Sequence, residues 1–334
     1  MGERESATAR PDVWHYLAGR LPAEHLSQRT LAQAEHVAWM LARGRGRLRL
    51  HLEEIPGCNE FVGTVLRLTG TLAAGVANAL RLEVREHQVP IPGLPAGLDG
   101  LRILQLSDLH LDGHPDLPGV IAQRLATVRC DVAVLTGDYR FLTTGPFGRA
   151  LQGMEQLLAV LSPPLGVHAI LGNHDFVEMV QPLEEMGVRF LLNENRALDG
   201  PGSPFLAGLD DTHYYGTADL DKALAGVPAG LPVVLLVHSP ELIREAAARG
   251  CALYLTGHTH GGQICLPGGI PIITNARCPR RYCSGPWRAG ALQGYTSTGC
   301  GSSGVFARFG CAPEITVHVL RRGDARAPGV TGTA

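Results

Sequence analysis

A chain of 334 residues with 45% apolar side chains is long enough for one large α/β domain with an appendage, or for two modest domains. That size and composition exclude a small disulfide-stapled protein and a disordered one. A formal charge of −2 gives no electrostatic reason to expect nucleic acid or an anionic membrane as the main partner, so any recognition of phosphate must be local.

Lys222 is the only lysine, so nearly all positive charge sits on arginine; with 42 glycines this points to the coding bias of a GC-rich bacterial genome. The eight cysteines include no Cys-x-x-Cys pair, which argues against a zinc ribbon or a dithiol redox motif. They are expected to be reduced, partly buried thiols, with a disulfide in the Cys265 to Cys311 cluster only if the chain were exported.

Residues 1 to 95 are expected to form a mainly helical accessory region, because Val37, Met40 and Leu41, then Val65, Leu68 and Leu72, recur at helical spacing. Met1 to Ala18 carries charges and a proline but no apolar core of a secretory signal. Phe61 to Leu80 is mostly apolar, yet Arg67 and several small polar residues dilute it, so a buried or surface-lying helix is expected rather than a span. Val89 to Gly100, with three prolines and three glycines, reads as a connector.

From Leu101 onward, strand-length apolar runs alternate with helix-length amphipathic segments, the pattern of an α/β layered domain over residues 96–322. Strands are predicted at 101–106, 132–136, 167–171, 233–237, 252–256 and 315–320, and helices at 117–128, 150–161, 177–186 and 241–249. Residues 323–334 are polar and rich in Gly and Pro, and read as a flexible tail.

Five of the predicted strands are followed at once by residues that bind metals, and open α/β sheets place their sites at such strand ends. Asp108 and His110, two apart, point to one side if the segment is extended. Asp138 follows a glycine and has two oxygens with which to bridge two cations. Asn173, His174 and Asp175 offer an amide ligand, an imidazole that can act on substrate, and a carboxylate to orient that imidazole.

His238 follows the fourth run, and His258 and His260 the fifth. Judged singly, each histidine is an ordinary structural residue, the reading kept for His15, His114, His168, His213 and His318. As a set on five strand ends they define a site. Mixed oxygen and imidazole donors suit Mn, Fe or Zn better than an all-oxygen Mg or Ca cage. Neither a Gly-x-Ser-x-Gly nucleophile elbow nor a Walker loop is present.

The ordered parts Asp108-x-His110, Gly137-Asp138, Gly172-Asn-His-Asp175, His238 and Gly257-His-Thr-His260 resemble the signature of calcineurin-like metallophosphoesterases. The flanking text, including Arg308-Phe-Gly-Cys-Ala-Pro-Glu-Ile315, is similar to a bacterial branch of envelope-associated phosphohydrolases. The resemblance implies two facing mixed β-sheets flanked by helices and a dinuclear phosphoesterase. One metal would take Asp108, His110 and His260, the other Asn173, His238 and His258, with Asp138 bridging and a shared hydroxide attacking phosphorus.

His174, held by Asp175, would then be free of metal and serve catalysis. The branch implies a phosphorylated small-molecule or lipid-linked substrate. With no span in the sequence, the expected location is the cytoplasm, with peripheral contact at the inner face of the membrane left open. Arg140, two residues past Asp138, is either an ordinary surface arginine, the reading preferred, or a phosphate-binding guanidinium, and Asp211, Tyr214 and Tyr215 either line the substrate entrance or form a structural loop. The alternative is a silent metal-binding scaffold of the same fold, against which the intact His174 speaks.

Overall fold

A computed structural model describes residues 12–42, 57–198 and 202–323. The segment expected to be a helical appendage holds helices α1 (Val13–Arg20), α2 (Ala23–Leu41), α3 (Cys58–Leu68) and α4 (Leu72–Ala79). The Phe61 to Leu80 stretch is therefore two helices, parted at Thr69-Gly70-Thr71 where Gly70 takes a positive φ of 69°. Among the described residues no helix is long and apolar enough to cross a membrane.

The helical expectation fails at Glu83–Pro92, which is a ten-residue strand, β1. It absorbs the start of the expected connector and pairs in parallel, residue for residue, with β14 (Glu314–Gly323), from Glu83 opposite Glu314 to Pro92 opposite Gly323. Prolines fit here because β1 lies at a sheet edge.

The first sheet runs β1-β14-β2-β3-β4-β5, where β2 is Arg102–Leu106, β3 Val132–Leu135, β4 Val167–Ala169 and β5 Val188–Phe190. Strands β2 to β5 are mutually parallel, and β14 meets β2 antiparallel. Crossovers α5 (Leu117–Leu125), α6 (Gly148–Leu158) and α7 (Val180–Glu185) join them.

The second sheet uses β6 (Glu194–Ala197), β7 (Phe205–Gly208), β8 (Val233–Leu236), β9 (Leu253–Thr256), β12 (Gly285–Ala289) and β13 (Leu292–Thr296). Its order is β12-β13-β9-β8-β7-β6, with α8 (Leu220–Leu224) and α9 (Ile243–Ala248) on its outer side. A hairpin of β10 (Cys265–Leu266) and β11 (Ile270–Pro271) stands apart.

Side-chain alternation explains why the strands read as unbroken apolar runs. On β3, Val132 and Val134 enter the layer between the sheets with Ile103, Val234, Leu236 and Leu253. Ala133 and Leu135 face the other way, onto Leu117, Ile121, Met154 and Leu157. The result is four layers, helices outside two facing sheets. The predicted strands and helices after Leu101 all occur, shortened by a few residues; β14 alone runs longer, to Gly323.

Candidate metal centre

The carboxyl ends of β2, β3 and β4 adjoin one another in the first sheet, and those of β8 and β9 in the second. Their following loops bring Asp108, His110, Asp138, Asn173, His174, His238, His258 and His260 together, each at most 6% exposed. Asp108, His110, Asp138, His258 and His260 all have positive φ, between 42° and 68°. In place of the expected extended segment, Asp108 and His110 thus take left-handed backbone on either side of Leu109, a conformation that costs non-glycine residues roughly 1–2 kcal/mol each. Such strain persists only where the surroundings over-determine it, and it marks functional sites.

Two glycines let the loops close. A Cβ on Gly172 would collide with Oδ1 of Asp138, and one on Gly257 would collide with Oγ of Ser107 and Oδ2 of Asp108. The backbone amide of Asp108 donates to the carbonyl of Gly137 (3.0 Å) and that of His110 to the carbonyl of Asp138 (3.0 Å), which ties the first two loops together.

Donor atoms converge within this frame. Nε2 of His110 is 3.2 Å from Nε2 of His260, which is 3.6 Å from Oδ1 of Asp108. Nε2 of His238 lies 3.3 Å from Oδ2 of Asp138 and 2.9 Å from Oδ1 of Asn173. Three sets with mutually close donor atoms result: Asp108, His110, His260; Asp138, His238, His258; and His110, Asp138, His174. His174 Nε2, like His110 Nε2, is 3.8 Å from Asp138 Oδ2.

Hydrogen bonds on the far side of each ring fix which nitrogen faces inward. Nδ1 of His110 donates to the carbonyl of Arg140 (2.7 Å), Nδ1 of His174 to that of Phe141 (2.8 Å), and Nδ1 of His238 to that of Thr136 (2.7 Å). His258 is reversed: its Nε2 donates to the carbonyl of Asn275 (3.2 Å) and leaves Nδ1 inward. A carbonyl can only accept, so each of these rings carries a proton on its far nitrogen, and the inward nitrogen is the one left to bind a metal or exchange a proton. The exception is His260, whose Nδ1 faces the buried guanidinium of Arg308 at 3.2 Å.

Burial pushes the Asp108 and Asp138 carboxyls up, Asp138 to about 7, and pushes His110 down to about 3 and His174, His258 and His260 well below their usual value. At His238 burial works downward too, but the Asp138 and Asp108 carboxylates prevail and raise it to about 10. Buried carboxyls that resist ionisation, set among mostly neutral imidazoles, are a donor set that a divalent cation would complete. The buried Nδ2 of Asn173 has no protein partner.

One expected role is corrected, and Arg140, Asp211 and Tyr215 make structural contacts. Asp175 does not touch the His174 ring: its carboxylate accepts from the amides of Asp138 (2.7 Å), Tyr139 (2.9 Å) and Gly172 (2.8 Å), and so binds the second and third loops together. Arg140 is buried and braces its own loop through the carbonyls of Leu142 (2.5 Å) and Gly145 (3.0 Å), its guanidinium stacked 4.1 Å over Phe176. Asp211 caps the turn that follows it, accepting from the amides of His213, Tyr214 and Tyr215, and Tyr215 is buried under Arg29.

Other features escaped the sequence reading. Arg308, fully buried, holds the loop beside His110 through the carbonyls of Thr298 (2.7 Å) and Gly301. His213, taken as an ordinary histidine, packs its ring 4.2 Å from that of His258. A largely apolar cavity of about 230 Å³ borders His258 and His260, walled by Val62, Ile264, Ile272, Ile273 and Val305. Its one sequence signal was the apolar run Ile270-Pro-Ile-Ile273.

Buried, strained, oxygen- and imidazole-rich loops at the ends of parallel strands define a metal-dependent hydrolase site. The family pattern of the calcineurin-like phosphoesterases matches residues 101–262, which contain every proposed ligand. The chain is 32% identical over 250 residues to a Bacillus subtilis protein named uncharacterized metallophosphoesterase YkuE, covering 72% of this chain and 86% of that one. It is 31% identical over 295 residues to a zebrafish (Danio rerio) transmembrane protein with metallophosphoesterase domain, covering 81% of this chain but 65% of the relative's length. The crystal structure of TT1561 from Thermus thermophilus aligns over 60% of this chain and 90% of its own at 12% identity and a TM-score of 0.41. The chain belongs to the calcineurin-like metallophosphoesterase family.

Proposed function

We propose that the protein hydrolyses phosphoester or pyrophosphate bonds with two divalent cations, Mn, Fe or Zn. Asp108, His110 and His260 would hold one, Asn173, His238 and His258 the other, and Asp138 both. The observation that carries this reading is that Asp138 stands in two donor sets, one with His238 and His258 and one with His110 and His174, while His110 also joins Asp108 and His260. When bound, the cations supply an activated water and neutralise charge on the phosphoryl oxygens.

The chain supplies the rest. Strained, interlocked loops hold the ligands before any metal arrives, and burial excludes competing water. His174, with Nδ1 tied to Phe141 and Nε2 facing the cluster, takes up a proton at Nε2 when the anionic phosphoester binds and passes it to the leaving oxygen. His174→Ala should lower kcat by roughly 10² to 10⁴ and leave two metals bound; loss of metal instead would make His174 a ligand and overturn that role.

For substrate, the apolar cavity beside His258 and His260 favours a phosphoester whose other end is apolar, in line with a lipid-linked compound. Ile272 and Ile273, which line this cavity, are exposed apolar side chains, as are Phe61 and Leu68 on α3 and Ile270 on the hairpin. They suit peripheral contact with the cytoplasmic membrane face on which such a substrate resides.

A further inference from the structure

Helix α2 buries the wrong kind of face. His25, Arg29, Gln33 and His36 follow one another at spacings of four, four and three, so they form one stripe. All four are buried, Arg29 completely. Helices ordinarily bury an apolar stripe and leave such residues in water.

The stripe grips the loop that carries His174. Nη2 of Arg29 donates to the carbonyl of Asp175 (2.7 Å) and Nη1 to Oδ1 of Asp210 (2.7 Å), with the guanidinium carbon 3.8 Å over the Tyr215 ring. Oδ2 of Asp210 meets Nε2 of His25 (2.8 Å) and Oγ1 of Thr217 (2.8 Å). Four residues along α2, Gln33 accepts from the amide of Val177 (3.1 Å) and donates to Glu178 (2.8 Å). Residues 175 to 178 are thus held from outside by α2, while the Asp175 carboxylate ties the same segment inward.

We infer that Arg29 is a positioning residue for His174, which makes α2 a working part of the active site. The inference rests on His174 being the proton donor. Arg29 reaches the carbonyl of Asp175, the residue after His174, and no side chain proposed as a ligand, so its loss should move His174 and spare the metals. Only a planar guanidinium can serve a carboxylate, a carbonyl and a ring face together; a lysine ammonium cannot.

A proton donor matters most when the leaving oxygen is basic. The test is steady-state kinetics of the full chain, loaded with Mn, on a p-nitrophenyl and an unsubstituted phenyl phosphodiester, with bound metal measured for each variant. Arg29→Met is expected to lower kcat about tenfold or more on the phenyl ester and less than about threefold on the p-nitrophenyl ester, at near-constant KM and metal content. Arg29→Lys should behave the same way.

Gln33→Leu, which keeps the Asp210 ion pair, should show a smaller loss of the same pattern, and it carries the test if the Arg29 variants do not fold. Added to His174→Ala, Arg29→Met should slow the phenyl ester no further, because the two act as a unit. Arg20→Ala, which frees α1 from Glu184 and Glu194, should change neither ester selectively. Equal loss on both esters, loss of metal, or full additivity with His174→Ala would overturn the inference. If His174→Ala itself fails to discriminate between the esters, the proton-donor reading fails and the positioning role falls with it.

Discussion

The metal-bearing loops and helix α2 meet at the same site and are built by opposite means. In the loops, function sits in short stretches: a strand ends and its ligands follow within four residues, with left-handed backbone at Asp108, His110, Asp138, His258 and His260. In α2, function sits in pairings between residues 144 to 185 positions apart, as with Gln33 and Val177 or His25 and Asp210. Strain and close approach localise the first kind. Charge burial holds the second, and removing one partner of a fully buried ion pair costs several kcal/mol.

The sharpest separation of the two should come from Asp138→Asn. Loss of the shared carboxylate is expected to cut kcat by about 10³ or more and to reduce bound metal, while thermal stability stays near that of the parent protein. Substantial activity at full metal content would remove Asp138 from the bridge. Gly257→Ala comes next, since its Cβ would press on Ser107 and Asp108. Metal affinity should fall about 10- to 100-fold, measured by competition with a metallochromic chelator; unchanged affinity would show that the two sheets can part without disturbing the ligands.

The brace should show itself in stability. Burial alone would raise the Asp210 carboxyl, but Arg29 and His25 outweigh it and hold it at about 2. Because the folded value lies below the unfolded one, the carboxylate contributes stability above about pH 4 and loses it as pH falls toward 2, roughly 2 kcal/mol in all. Asp210→Asn should therefore lower Tm clearly at pH 7, with the gap to the parent protein narrowing below pH 4. A gap independent of pH would deny the ion pair that role. The smallest effect is expected at the cavity: Ile273→Ser should raise KM severalfold for a long-chain phosphodiester and leave a p-nitrophenyl ester unaffected.

The same contrast explains what could be read in advance. Predicted strands that are buried on both faces, such as 132–136 and 233–237, announce themselves by composition, and the ligands follow at their ends. Strand β1 does not, because Glu83-Val-Arg-Glu-His-Gln is an edge whose only partner begins 231 residues later. Strands β12 and β13, rich in Gly and divided at Gly290, are strands through pairing alone.

Roles were harder to read than positions. Asp175 stands next to His174 in sequence, which suggested that it orients the ring, yet its carboxylate turns to three backbone amides and the carbonyl of Phe141 holds the imidazole instead. Arg140 was placed by its nearness to Asp138, and its side chain folds back on Leu142 and Gly145. Sequence proximity fixes where a backbone passes, and leaves the direction of a long side chain to the tertiary environment.

The central claim is a centre for two cations joined by Asp138. Titrating metal-stripped protein with Mn in a calorimeter, alongside Asp138→Asn, tests it most directly. Two ions per chain, with activity returning as the second binds and both features lost in the variant, is the expected result. A single ion per chain that restores full activity, or hydrolysis that persists in excess chelator, would contradict the account.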